Sequence, residues 1–538
     1  MNPITAPRRR LRWGLRHGIV RLATRRGVRA GSLPARLMTD RELIGDPFAA
    51  YEELRARGRL VPNGPVLLAH DHDLCTAVLR SPDFGVVGGH DGTTPPLLTR
   101  LARIAGPGPV GPVERPSMLA VDAPDHTRFR RLVTRAFTAR AVAQLRERTE
   151  AIASDLLDAM AAAAEHPAAG DGTSDLVADF ASLLPATVIA EMLGAPVAMR
   201  RQFLAWGAGA ALSLDPGMTY PEFRRSEADL QALDDWMRGH FDGVRQRGPV
   251  AGQDILSDLV LARDEHGALT DTELASVAML LLAAGFETTV NLIGNAVVLL
   301  TTHPDQLALL REDPGLWPQA VDEVLRFDSP VQRTARVAHR DTIVAGEQVP
   351  AGKIVITVLG AANRDPAVFA DPQTFDVTRV DAGAHLAFSS GAHYCLGAAL
   401  ARMEGEVALR ALFDRFPDLA LAGVPHRRPT RVLRGYDALP VRLTPSDRAG
   451  SGRVGSDGGT SDGVVPRRAG SGRVLGHPTP EERDGIELTA GVAGDGPVLE
   501  RPPGGLDDVD TLAPGLQGAL AGRPPEARGE ADDEDPLP

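Results

Sequence analysis

The stretch that most limits how this chain can fold runs from Thr270 to Thr289. Thr270-Asp271-Thr272-Glu273 has the form in which a threonine hydroxyl and a glutamate carboxylate each satisfy a free backbone N–H at a helix start. Behind it, Leu274 to Phe286 contains no charged side chain, and Leu274, Val277, Ala278, Leu281 and Leu282 recur at helical spacing. The expectation is one long buried helix. Glu287 ends the apolar run, so no stretch of 18 or more uncharged apolar residues exists and no membrane span is expected.

Midway, Ala284-Gly285-Phe286-Glu287-Thr288-Thr289 places two hydroxyls and a carboxylate inside that apolar pattern. Burying such groups costs roughly 2–7 kcal/mol each unless they find partners. They therefore mark either a hydrogen-bonded bend or a use. Gly285 permits close approach of a flat ligand and local opening of the helix, and threonine back-bonding to a carbonyl bends it further. Taken alone, the hexad is explained as well by threonines satisfying a kink.

A second stretch is Phe388-Ser389-Ser390-Gly391-Ala392-His393-Tyr394-Cys395-Leu396-Gly397, which sets one cysteine on a glycine-bordered loop just before a helical pattern. A lone buried cysteine is usually a small hydrophobe. Here the helix opening near Leu396 aims free N–H groups and its positive dipole end at the sulfur, an environment that favours thiolate. Phe388 is placed to cover one side of a bound group, and His393 to donate a hydrogen bond to a carboxylate of it.

This loop resembles the cysteine loop of the cytochrome P-450 family, Phe-Gly-x-Gly-x-His/Arg-x-Cys-x-Gly, with Ser389 standing where the first glycine is usual. The hexad resembles the family's oxygen-activation motif, which puts Glu287 in the acid position and Thr288 in the alcohol position, with Ala284 and Gly285 against the cofactor. A third likeness is Pro318 to Arg326, where Glu323 and Arg326 match the family's structural Glu-x-x-Arg pair and the following Arg336 takes a propionate-binding place. The family often adds an arginine before Phe375. Thr374 stands there instead, and Arg379 lies near enough to substitute. His126 and Arg130, four apart behind a potential helix cap at Asp125, resemble the family's propionate donors.

The resemblance covers residues 40–445 and implies a mainly α fold with small β-sheets, a P-450-like single catalytic domain. It implies haem b ligated by Cys395, held also by Phe388, His393 and Gly397, and proton delivery by Glu287 and Thr288 during O–O cleavage. The expected reaction is a monooxygenation, inserting one atom of O2 into an apolar small molecule by hydroxylation or epoxidation. Electrons are expected from a separate ferredoxin or flavodoxin with its reductase, since no flavin, iron–sulfur or nicotinamide motif occurs, and Arg402 or Arg410 is a candidate for docking it. A haem-thiolate peroxygenase or isomerase would not need Glu287 and Thr288, and a haem sensor would need only the ligand loop.

Two flanks depart from this domain. Residues 1–39 form a basic N-terminal extension in which Arg8 to Arg29 carry no acid and alternate with Leu11, Trp13, Leu15, Ile19, Val20 and Leu22. This fits a helix lying on an anionic membrane surface as well as a solvated, partly helical arm. Residues 446–538 lack Phe, Trp, Tyr and Cys and repeat Arg-Ala-Gly-Ser-Gly-Arg-Val at 448 and 468, so a disordered tail is expected. The formal charge of −12 argues against nucleic acid as a partner, and with only Cys75 and Cys395 a reducing, cytoplasmic location is expected, with peripheral contact at the inner membrane face through the arginines. Between the motifs, helices are expected over 141–163, 176–193, 199–210 and 222–245. A long loop, functional or mobile, is expected over 84–116, and the resemblance implies that residues 203–223 form a flexible roof over the substrate site.

Overall fold

In the computed structural model, which describes residues 5–87, 96–165, 172–264 and 268–443, the predicted core helix spans Asp271–Thr302. Its start is built as the sequence implies. Thr270 N donates to Glu273 Oε2 at 2.7 Å, and Glu273 N donates to Thr270 Oγ1 at 3.2 Å. Its length and apolarity would suffice to cross a bilayer, but 78% of its most apolar window is buried inside the protein, which makes it a core helix.

The other long helices cover it. Ala139–Glu165, Leu183–Leu193, Arg200–Leu212, Tyr220–Arg247 and Ala398–Arg415 contribute to one continuous apolar cluster with it. Gly285 faces Leu183–Leu193 so closely that a Cβ there would stand 2.7 Å from Ile189 Cγ1. Helix-to-helix contact thus already requires this glycine, and the hexad runs as unbroken α-helix rather than opening.

A five-stranded sheet lies to one side, in the order Leu60–Asn63, Val66–Ala69, Ile354–Thr357, Thr334–Ala338, Phe84–Val86. Only the second and third strands pair in parallel. The register sets Arg336 opposite Val86 and Val355, which fixes where its side chain can reach.

Two expectations need correction. The segment 84–116 is not one loop, since it holds the strand Phe84–Val86 and a helix, Pro96–Ala105, in which Leu97, Leu101 and Ile104 recur at helical spacing. The N-terminal residues are not a loose arm either. Thr5–Trp13, a widened π-turn over Gly14–Gly18, and Ile19–Arg29 pack onto the body: Trp13 Nε1 donates to Met218 O at 2.9 Å, and Arg9 and Arg12 each reach Glu227 at 2.8 Å. The compact unit takes in these residues. The expected tail over 446–538 lies outside the described residues.

Candidate active site

Gly391 and Ser389 shape the cysteine loop. Both have positive φ, 71° and 63°, and a Cβ on Gly391 would collide with Leu79 O. For Ser389 that left-handed conformation is a strain that the more usual glycine would avoid, and its buried hydroxyl has no hydrogen-bond partner among the described residues. Cys395 N donates to Phe388 O at 2.9 Å, which closes the loop. The sulfur accepts the Gly397 N–H. Burial pushes the Cys395 thiol up, against that N–H and the positive fields of Arg130 and Arg402, which pull it down.

Phe388 is buried and carries the Arg402 guanidinium 4.7 Å from its ring centroid. Arg402 Nε donates to Asp322 Oδ1 at 2.7 Å. Arg402 is therefore fixed inward and is a poor docking group, whereas the exposed Arg410 has only a 3.8 Å contact with Asp414.

The helix Asp125–Val133 presents His126 and Arg130. Asp125 does not cap it; its carboxylate pairs instead with Arg128 at 3.1 Å. His126 is buried with its ring centroid 4.1 Å from that of His393. Burial, with His393 and Arg130 nearby, lowers the His126 pKa to about 4, so it is neutral at pH 7. Arg336 is buried, donates at 2.9 Å to Ala335 O and meets no carboxylate within 4 Å among the described residues; the same holds for Arg130. Sequence reading missed Asp122, which lies 3.8 Å from His393 Nε2, accepts the Val86 N–H and is the nearest acid acting on Arg336.

On the core helix, Ala284 is exposed and Gly285 and Thr288 are half-exposed, although their neighbours on the helix are buried. Thr288 Oγ1 donates to Ala284 O at 3.3 Å. Glu287 is buried in an ion pair with Arg428, a partner 141 positions away that the local sequence gave no means to find. The Thr289 hydroxyl approaches the Glu404 carboxyl, which is fully buried without a cation and pushed up to about 8 by that burial.

Behind the loop, Glu323 and Arg326 are both fully buried and joined by two bonds of 2.6 and 2.8 Å. Arg379 Nε adds a third contact to Glu323 at 3.3 Å. Arg379 thereby supplies the third member that Thr374 cannot. The Thr374 carbonyl serves instead as an acceptor for Arg326 at 3.0 Å.

The family model described as Cytochrome P450 matches residues 316–425, the part that holds this triad and the cysteine loop. A relative in Mycobacterium tuberculosis (strain ATCC 25618 / H37Rv), provisionally named cytochrome P450 140, is 47% identical over 81% of this chain and 98% of its own. The cytochrome P450 monooxygenase PikC of Streptomyces venezuelae is 40% identical over 76% of this chain and 94% of its own. The crystal structure of myxobacterial cytochrome P450 CYP267B1 in complex with myristic acid superposes with a TM-score of 0.67 at 34% identity, covering 76% of this chain and all of the other. The chain belongs to the cytochrome P450 family. It is accordingly a monooxygenase, an oxidoreductase whose cofactor is haem iron.

The residues present fit that cofactor. Among the described residues Arg130 and Arg336 have no carboxylate within 4 Å, which suits two carboxylate-bearing arms, and the direction of a Cβ on Gly397 is open space. Cys395, with the Gly397 N–H on its sulfur, is the residue that would hold the iron of such a group.

Proposed function

We propose that this protein binds haem b and hydroxylates or epoxidises an apolar small molecule with O2, drawing electrons singly from a ferredoxin or flavodoxin and its reductase in the cytoplasm. The observation that carries the reading is the pairing of a cysteine loop whose sulfur accepts the Gly397 N–H with a core helix that exposes Ala284 and Thr288 in the midst of buried neighbours. The bound myristic acid of the myxobacterial relative favours an apolar substrate.

Arg130, Arg336 and His393 would hold the propionates, and Cys395 the iron, with the Gly397 N–H on the sulfur keeping charge there. When bound, the haem supplies dioxygen activation. The protein's part is to move protons. Glu287 is ionised beside Arg428, so it must leave that guanidinium to take a proton from water and pass it toward Thr288 Oγ1. Thr288, already donating to Ala284 O, needs only a rotation about χ1 to turn that hydrogen outward. Of the two cations considered for a redox partner, Arg410 is the one free to serve.

The test is the carbon monoxide spectrum of the reduced protein, followed by turnover with reductant and O2 compared with peroxide alone. The thiolate-type absorption maximum should be present and should vanish in Cys395→Ala. Thr288→Ala should consume reductant with little product, by a factor of about 10²–10⁴ for a lost proton-transfer group. Unchanged coupling in that variant, or turnover with peroxide only, would move the assignment to a peroxygenase.

A further inference from the structure

The helical N-terminus has two different faces. One is committed to the fold: Arg9 and Arg12 to Glu227, His17 buried with its ring 5.4 Å from that of Phe223, and Arg21 Nη1 donating to Gly217 O at 2.9 Å. After the π-turn, Ile19, Leu22, Arg26 and Arg29 follow at spacings of three, four and three, which places them together on the other face. Ile19 is 48% and Leu22 52% exposed. Arg26, Arg29 and the adjoining Arg25 have no acid within 4 Å among the described residues, and none of the eleven residues of this helix is acidic.

The helix Pro96–Ala105, tied to the N-terminus by Arg12 Nη1 donating to Ala105 O at 3.0 Å, repeats the composition. Leu97 and Ile104 share a face and are 67% and 54% exposed, and Arg100 and Arg103 are the charges beside them. Ile19–Arg29 and Pro96–Ala105 thus each expose aliphatic side chains beside arginines that have no acid within 4 Å among the described residues, on a chain whose formal charge is −12.

We infer that the face formed by Ile19, Leu22, Arg25, Arg26 and Arg29 docks the protein on an anionic lipid bilayer. Arginines alone would suit any anionic partner. The exposed isoleucine and leucine residues among them select a partner with an apolar interior under a negative surface, which is a bilayer rather than an acidic protein. The position of these helices is fixed by the contacts above, so the face is presented without a folding step. Docking rests on these side chains and not on the oxygenase reading. Its benefit to an enzyme taking apolar substrates does rest on that reading, because this helix is bonded through Arg21 to Gly217, and the helix before it through Trp13 to Met218, in the segment expected to roof the substrate site.

The full-length holoprotein should be sedimented with vesicles of phosphatidylcholine alone and of phosphatidylcholine containing phosphatidylglycerol, across a salt series. Binding is expected only to the second kind, weakening with salt. Each of Arg25→Gln, Arg26→Gln and Arg29→Gln should weaken it about fivefold, and Ile19→Ser with Leu22→Ser about tenfold, with the carbon monoxide spectrum unchanged in every variant as proof of folding. No binding to phosphatidylglycerol vesicles, or equal binding by all variants, would overturn the inference. So would a loss confined to the arginine variants with the Ile19 and Leu22 changes silent, which would mark the face as one for acidic proteins. Loss of turnover with binding intact would count against the oxygenase reading alone.

Discussion

Two groups of arginines, each with a buried member, are built differently. In one, Arg326 gives two bonds to Glu323 and three more to the carbonyls of Asn363, Pro372 and Thr374, all at 3.0 Å or less, and Arg379 shares the same carboxylate. In the other, Arg336 is nearly as buried yet reaches only Ala335 O and, at 3.4 Å, Thr334 Oγ1, while the half-buried Arg130 has no acid within 4 Å among the described residues. Burial therefore does not separate scaffold from binding site; the source of the countercharge does. A cluster that holds its own carboxylate is closed and structural. One whose positive charge is unanswered within the protein is completed by its ligand.

The sharpest way to break this contrast is to remove the closed cluster's carboxylate. Glu323→Ala leaves the buried Arg326 without its carboxylate and Arg379 with only its 3.8 Å contact to Asp381, and should lower stability by about 3–5 kcal/mol, read as a collapse of the thermal transition or as failure to retain haem. Arg336→Leu should do the opposite kind of damage. Desolvation already holds this guanidinium below its ordinary pKa, so the haem-free protein should be no less stable. Haem should be lost about 10–100-fold more readily, since a charge-assisted bond is worth about 1.5–3 kcal/mol, measured by transfer to apomyoglobin.

Glu404 sharpens the comparison from a third side, as a buried carboxyl with no arginine at all. Its pKa of about 8 in the fold exceeds the ordinary glutamate value, so the folded state binds the extra proton, and stability should fall as pH rises from about 4.5 to about 8. Glu404→Gln should flatten that slope and gain about 1–2 kcal/mol at the alkaline end, seen in denaturant midpoints across pH. The smallest effect is expected in the cysteine loop. Ser389→Gly relieves a φ of 63° and a buried unsatisfied hydroxyl, and should raise stability by about 0.5–1 kcal/mol with the haem spectrum unchanged.

What the sequence disclosed follows the distance over which each signal acts. The Thr270–Glu273 cap, the apolar run behind it and the Glu323–Arg326 pair are local, spanning three residues or one helix face, and all stand where expected. Arg379 as the third member could be suspected from nearness in the chain, and its 3.3 Å contact with Glu323 settles the point. Arg428 and Asp122 could not be read, because what gives them meaning is a residue far along the chain or the register of strand Phe84–Val86. The helix Pro96–Ala105 was hidden by the glycines and prolines around it, and the packed N-terminus by a composition that suits a free arm equally well.

Cys75 is fully buried, and burial pushes its thiol up, far from reactivity at neutral pH. Since Cys395 is the only other sulfhydryl in the chain, a maleimide titration has a single site on which to report. In the purified, folded protein such labelling is expected to fall as the pocket beside Cys395 is filled, which would read cofactor occupancy without any chromophore being seen.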